Sequence, residues 1–374
     1  MRVCVLASDL SENAVGRADL LARLLAPRYE VTVVGPRFGP HLWPPLRGSP
    51  TRYRDVAARR YPAFVADLGT LLRQVDGDLL YACKPRPSSF GLGLLARYRL
   101  RRPLLLDIDD WELGFFYRSG FWGCVGRALN LRHPNGLMWT WLCERLVPAA
   151  DGITVASRWL QRRFGGLLLP HVRDTDVWDP RRWDGTTIRA ALGVGRAPLV
   201  MFLGTPRAYK GVDDLVEAVG RLGRPAVLAL VGVRPGSEGA RRWSAHPFVR
   251  LIGPVPFDEV PRWLVAADVV VIPQRATPDT VGQVPAKLFD AMAMGRPVVA
   301  TAVSMIPEIL EGCGIVVRPG DVEALTAAIR QVLDEPDLAA SLGRRARARC
   351  VGEYSFAAVR ERLYALVDRA AGRT

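Results

Sequence analysis

Lysine is almost missing from this chain. Of its 51 Lys plus Arg residues only three are lysine, Lys84, Lys210 and Lys287, and the rest are arginine. Arg spread over the whole chain fits a GC-rich coding bias, so the positions where lysine survives become informative. Cysteine is sparse too. Its six residues (Cys4, Cys83, Cys124, Cys143, Cys313 and Cys350) form no CxxC pair and no His/Cys metal spacing, which excludes a zinc-ribbon or disulfide framework and reads as reduced cytosolic thiols. No apolar run is long enough to span a bilayer. The first segment, RVCVLA, lacks the apolar stretch and cleavage site of a secretory leader and reads as a strand. The expected location is cytoplasmic, with the inner face of a membrane as an alternative.

What is present is a globular composition, 49% hydrophobic and 24% charged over 374 residues. That length exceeds one ordinary core and predicts two domains. The formal charge of +14 points to an anionic partner (nucleic acid, an acidic membrane surface or a phosphorylated small molecule) or simply to the coding bias.

Short apolar runs alternate with amphipathic stretches. Strands are predicted at 2–7, 31–35, 78–82, 103–108 and 152–157, then at 198–204, 226–232, 249–253, 268–273, 297–301 and 314–317. Helices are predicted between them, among others at 18–26, 64–75, 211–222, 286–295 and 321–333. Nearly continuous apolar strands alternating with helices mean parallel sheets covered on both faces, and the rhythm occurs twice. The fold class is therefore α/β, two Rossmann-like doubly wound domains facing across a cleft. The seam lies in the Pro-, Asp- and Trp-rich stretch 171–185. Domains are set at 1–172 and 173–353, followed by a C-terminal helix, 354–374, packing back toward the first domain.

In doubly wound sheets ligands bind beyond the carboxyl ends of strands, so the loops after strands carry the chemistry. MFLGTPRAYKG (201–211) ends a strand and turns into a helix, placing Arg207 and Lys210 at the mouth of the second sheet. A planar fork and a point charge together suit a diphosphate, though a solvated turn also fits. In VGQVPAKLFDAMAMGRPVVAT (281–301), Val284, Pro285 and Ala286 lead into a helix start whose free N–H groups can hold an anion, and these residues are expected beside the diphosphate. Lys287 in the first turn opposes the helix dipole unless a phosphate is bound there. Asp290 could accept from a ribose diol, or simply be exposed. All three lysines fall at strand-end loops or helix starts.

The blocks FLGTPRAYKGVDDLVEAV, VRLIGPVPFDEVPRWLVAADVVVIP, KLFDAMAMGRPVVAT and GIVVRPGDVEALTAAI, in this order and spacing, resemble the retaining glycosyltransferases of family 4, of the group 1 type, with the GT-B fold. The resemblance covers most of 150–335 and, more loosely, 10–36. It implies transfer of a sugar from a UDP- or GDP-sugar to an acceptor hydroxyl with retention, in envelope polysaccharide, glycolipid or secondary-metabolite glycoside synthesis, with no cofactor and no divalent metal. It places Lys210 on the family's diphosphate lysine and Arg207 about two residues from the family's arginine, since Thr205 holds that position. Asp290 falls on the ribose-binding glutamate, one methylene shorter. The sugar-contacting glutamate falls on Gly282, which has no side chain, with Asp279 and Gln283 as substitutes. The base is read around Val255 and Pro256.

The same resemblance puts Gly16 in the family's N-terminal glycine loop, near the donor diphosphate, and Arg17 beside it could meet a phosphate on donor or acceptor. Asp109 falls near the family's histidine by the reacting sugar. Catalysis is assigned to Asp109, Arg207 and Lys210, and the acceptor to Lys84, Asp110 and Trp111. Asp109 and Asp110 would also suit Mg²⁺ or Mn²⁺, but this fold usually uses cationic side chains instead, so the expected metal count is none. The aromatic, Arg-interleaved stretch 111–147 is a membrane interface for a lipid-linked acceptor, a pocket for a soluble one, or core; nucleic acid is not expected. A sugar-nucleotide epimerase of GT-B shape and a non-catalytic sugar-nucleotide binder remain open. A dehydrogenase would need GxGxxG after the first strand, and ASDLSENAVG does not supply it.

Overall fold

The computed structural model describes residues 1–46, 48–117 and 120–373. The chain divides into two compact units. Unit 1 contains Met1–His171, the short piece Val281–Gln283 and the chain from Val359 onward; unit 2 contains Val172–Thr280 and Val284–Ala358.

Unit 1 is built on seven strands: β1 (Arg2–Leu6), β2 (Glu30–Arg37), β3 (Arg52–Ala57), β4 (Leu79–Cys83), β5 (Leu104–Ile108), β6 (Gly152–Val155) and β7 (Leu167–Leu168). Their order is β3-β2-β1-β4-β5-β6-β7, and every pairing is parallel. β4 and β5 are buried at every position, as a sheet covered by helices on both faces requires. The sheet reverses its winding between β1 and β4. The C-terminal helix Phe356–Ala370 returns to this unit, where Tyr364 Oη donates to Leu24 O at 3.2 Å and Tyr29 Oη to Asp368 Oδ1 at 2.8 Å.

Unit 2 carries six strands: β8 (Leu199–Leu203), β9 (Val227–Val231), β10 (Val249–Ile252), β11 (Val269–Ile272), β12 (Val298–Thr301) and β13 (Ile315–Val317), in the order β10-β9-β8-β11-β12-β13 and again all parallel. Winding reverses between β8 and β11. Each sheet thus has a switch point, where ligands of doubly wound sheets bind.

Two strands were not visible in the residue pattern. β3 (RYRDVA) is an edge strand with four of its six residues exposed and none fully buried, so it shows no apolar run. β7 has two residues, too few to leave a period. The helix Pro336–Glu353 was likewise missed, because its arginine-rich sequence buries only a narrow stripe.

Candidate active site

Around the switch point of unit 2, β8 delivers the loop 204–211. Gly211 lies at φ 61°, and a Cβ there would sit 1.9 Å from Pro273 O. Only glycine permits this approach, which explains the glycine that follows Lys210. Arg207 is exposed and Lys210 half-buried in the turn that ends at Gly211.

The segment after β11 leads to the helix Ala286–Ala293. Lys287 in its first turn is buried, its Nζ has no hydrogen-bond partner among the described residues, and it lies 3.7 Å from the Phe202 ring centroid. Burial holds this ammonium well below the ordinary lysine range, Lys210 adds to the effect, and Asp290 opposes it.

Asp290 is also buried, and Arg173 pairs with it through Nε. Burial raises the Asp290 carboxyl against the pull of Arg173 and Lys287. Arg173 further donates to Val172 O at 2.7 Å, and its guanidinium lies 5.5 Å from the rings of Trp178 and Phe257. Phe257 directly follows Val255 and Pro256, so Arg173 links the segment expected to read the base to the residue expected to hold the ribose. Nothing in the sequence pattern singled out Arg173. Asp279 is buried in its own turn and accepts from Thr277 Oγ1 at 2.6 Å.

Unit 1 gathers a second set at the carboxyl ends of β4 and β5. Lys84 Nζ lies 2.8 Å from Asp109 Oδ1, 3.0 Å from Asp110 Oδ2 and 2.7 Å from Glu112 Oε1. Arg86 pairs with the other oxygen of Glu112. Glu112 and Arg86 were missed in the sequence, although each stands two residues beyond a recognised site residue.

Burial pushes the Asp109 carboxyl up to about 6, against the pull of Lys84 and helped by Asp110 and Asp107. Burial also acts to raise Asp110, but Lys84 and a 3.0 Å hydrogen bond from Gln283 Nε2 outweigh it, and its carboxyl stays below the ordinary range. Trp111 lies against Trp159 with ring centroids 5.1 Å apart, and its buried Nε1–H has no acceptor among the described residues.

Gly282 packs in unit 1, where its carbonyl accepts from Ser157 Oγ at 2.8 Å. A Cβ at this position would lie 3.1 Å from Trp159 Cε3. The position at which the resemblance led us to expect a glutamate thus has little room for a side chain.

Gly16 occupies the first turn of the helix Val15–Leu25, where a Cβ would meet only the Trp43 ring, at an ordinary 3.6 Å. Arg17 does not reach out to a phosphate. It is buried, forks onto Asp107 at 2.8 and 2.9 Å, and donates to Leu169 O and Pro170 O. Its charge is spent inside unit 1, fastening the first helix to β5 and to the end of the unit's main segment.

Two parallel doubly wound sheets, each with charged side chains at the carboxyl ends of its strands, define a GT-B type of architecture. The solved structures agree on the fold. The Anabaena protein HepE, in complex with UDP and glucose, superposes with a TM-score of 0.77 at 18% identity over 99% of this chain and 100% of that one. Sucrose-phosphate synthase from Thermosynechococcus elongatus gives 0.73 at 19% identity over the whole of both chains. Residues 197–335 match the family model for glycosyl transferases group 1.

The chain belongs to the group 1 glycosyltransferases. A GDP-mannose-dependent monoacylated α-(1-6)-phosphatidylinositol monomannoside mannosyltransferase of Corynebacterium glutamicum is 30% identical over 64% of this chain and 69% of its own length. A GDP-mannose-dependent α-(1-6)-phosphatidylinositol monomannoside mannosyltransferase of Mycolicibacterium smegmatis is 31% identical over 58% of this chain, and α-D-kanosaminyltransferase of Streptomyces kanamyceticus is 28% identical over 54%. The chain spans 63% of the length of the smegmatis enzyme and 52% of the kanosaminyltransferase.

Proposed function

We propose that the protein transfers a sugar from a nucleoside diphosphate sugar to an acceptor hydroxyl, with retention at the anomeric carbon. The observation that carries this reading is the Lys287 ammonium, buried beside Lys210 with no hydrogen-bond acceptor among the described residues. A desolvated cation costs several kcal/mol, and a diphosphate supplies the missing counter-charge. Lys210, Lys287 and the N–H groups at the start of the helix Ala286–Ala293 would then meet the charge that develops on the leaving diphosphate as the C1–O bond breaks, the electrostatic effect that usually dominates such catalysis. Arg207 adds an exposed cation at the same mouth. Asp290, held by Arg173, faces the ribose, and Phe257 with Val255 and Pro256 borders the base.

In unit 1, Asp109 and Asp110 would accept from the incoming hydroxyl, and the Trp111 Nε1–H offers a donor beside them. Relatives whose names include GDP-mannose, and a fold neighbour solved with UDP and glucose, support a UDP- or GDP-sugar as donor. The acceptor reading extends to a lipid-linked molecule at a membrane surface. Trp122, Leu129, Met138, Trp141, Leu142 and Leu146 are exposed, and the Arg145 guanidinium lies 4.1 Å from the Trp141 ring centroid. Apolar side chains with interleaved arginines suit an acidic bilayer interface, and no helix among the described residues is long and apolar enough to cross the membrane itself.

The test is thermal unfolding with UDP, GDP, dTDP, ADP and CDP, repeated with the corresponding sugars. A ligand at about 100 times its Kd adds roughly 2.7 kcal/mol. A shift with one base that is lost in Lys210→Ala, together with acceptor-dependent release of that nucleotide from its sugar, is the expected result. No shift with any nucleotide or nucleotide sugar would overturn the reading.

A further inference from the structure

Lys84 is held at a cost that the transfer reading alone does not explain. Its backbone is left-handed, at φ 71°, a conformation disfavoured for a residue with a Cβ. Three hydrogen bonds fix it there: its N–H donates to Asp107 O, and its carbonyl accepts from Arg86 N–H and Ser89 Oγ, each at 2.8 Å. The result is a nearly inaccessible ammonium, its side chain 5% exposed, in contact with three carboxylates. An ammonium has three N–H donors. Here Asp110 and Glu112 accept two of them, and Asp109 Oδ1 lies at ion-pair distance, 2.8 Å, without a hydrogen bond.

One oxygen from each of Asp109, Asp110 and Glu112 lies within 4.8 Å of the others. That is the span of ligand atoms around one small cation, and an all-oxygen set is what Mg²⁺ or Mn²⁺ prefers. Lys84 Nζ lies 2.8, 3.0 and 2.7 Å from one oxygen each of Asp109, Asp110 and Glu112. We propose that the Lys84 ammonium is a built-in cation standing where a divalent metal would otherwise sit, and that it is a positioning residue that holds Asp109 and Asp110 in place for the acceptor hydroxyl. Only the last clause rests on the transfer reading.

Coulomb repulsion favours a cation here. Carboxylate oxygens within 4.8 Å of one another repel, and an ammonium in contact with all three offsets that repulsion. Arg86 approaches only Glu112, through the other oxygen of that carboxylate. Removing the Lys84 charge therefore leaves two outcomes: the acids take up protons, or they take up a cation from solution. A tethered ammonium differs from a metal in being always present and indifferent to chelators.

The experiment is Mn²⁺ binding to the purified full chain, read by electron paramagnetic resonance of the free ion, with no substrate present. Wild type is expected to show no saturable binding. Lys84→Ala is expected to bind a single Mn²⁺ per chain, and to lose it again when Asp110→Asn is added. Saturable binding by wild type that Asp110→Asn abolishes would overturn the proposal, because the carboxylates would then be a metal site with Lys84 beside it. A folded Lys84→Ala that binds no Mn²⁺ would overturn it as well.

Should Lys84→Ala fail to fold, Lys84→Gln replaces it. Should both fail, refolding of Lys84→Ala with millimolar Mn²⁺ decides: recovery of the native unfolding transition supports the proposal, and no recovery overturns it. Where transfer can be assayed, Mn²⁺ should restore turnover to Lys84→Ala and leave wild type unchanged. The binding result stands whether or not transfer is observed, so failure of the cation proposal and failure of the transfer reading are separable.

Discussion

The Nζ atom of Lys287 lies 3.7 Å from the centroid of the Phe202 ring, and this ring is the most evident compensation for a buried charge. A desolvated cation–π contact contributes about 2 kcal/mol, less than the several kcal/mol that burial of an ammonium costs. The site is therefore short of negative charge, and its lysine is held well below its ordinary range by burial first and by Lys210 second.

A linkage prediction follows from that sign. In the ligand-free protein burial favours the neutral form of Lys287. A bound diphosphate favours the charged form, so binding takes up a proton wherever the free lysine is deprotonated, and affinity for the nucleoside diphosphate falls as pH rises through that titration. Calorimetry in buffers of different ionisation heat should show the uptake, and Lys287→Met should abolish it while weakening binding. Binding with no proton uptake at any alkaline pH would show that Lys287 does not face the diphosphate.

Arg173 and Asp290 form a buried pair, their side chains 7% and 6% exposed. Arg173→Met leaves the carboxylate without its cation, and breaking such a pair from one side costs about 3–5 kcal/mol. Asp290→Asn leaves Arg173 its contacts with Val172 O, Trp178 and Phe257, so it should cost less stability than Arg173→Met while weakening nucleotide binding. Urea midpoints and nucleotide affinities of the two variants check the order. Equal stability losses would mean that the pair is worth no more to one partner than to the other.

Restoring the family's acid at position 282 should damage the protein rather than improve it. The Cβ alone meets Trp159 Cε3 at 3.1 Å and Trp111 Cβ at 3.4 Å, and Trp159 is braced by Trp111 and by Arg163, whose guanidinium lies 5.8 Å from its ring. Overpacking of this kind costs about 1–3 kcal/mol. Gly282→Glu is expected to lower the melting temperature more than Gly282→Ala, and neither should raise turnover. A stable, more active Gly282→Glu would show that the Trp159 side chain yields and that the glycine is a loss rather than a requirement.

Much of this was legible in the residues, and the limits have physical causes. The central strands read as apolar runs because both faces of each sheet are covered, while β3 hid because most of this edge strand is exposed to solvent. Lys287 stood out as a cation at a helix start, where stability arguments disfavour it, and the structure adds its burial against Phe202. Lys84, Asp109 and Asp110 were visible as strand-end charges, but their meeting point was not: β4 and β5 are neighbours in the sheet and 20 residues apart in the chain, and no local period records that register. Arg17 misled because a charge beside a glycine loop looks the same whether it turns out to a ligand or in to Asp107. Arg173 gave no signal, since its partner lies 117 residues away.

Asp109 gives the last prediction, one in which activity and stability move in opposite directions with pH. Burial, the largest influence, lifts its carboxyl to about 6, with Lys84 pulling it down and Asp110 and Asp107 pushing it up. Only the ionised form can accept a hydrogen bond from an acceptor hydroxyl, so turnover should be flat above about pH 7 and fall toward tenfold per pH unit below about 6. The stability term has the reverse sign. A carboxyl raised in the fold above its unfolded value of about 3.9 favours the folded state while it is protonated, and that contribution is lost as pH climbs from about 4 to 6. Lys84→Gln removes the pull that lowers Asp109, so the acid limb should move to higher pH, and Asp109→Asn should leave a low profile without that limb. An acid limb near 6 that persists in Asp109→Asn would assign the titration to another group and remove Asp109 from the reaction.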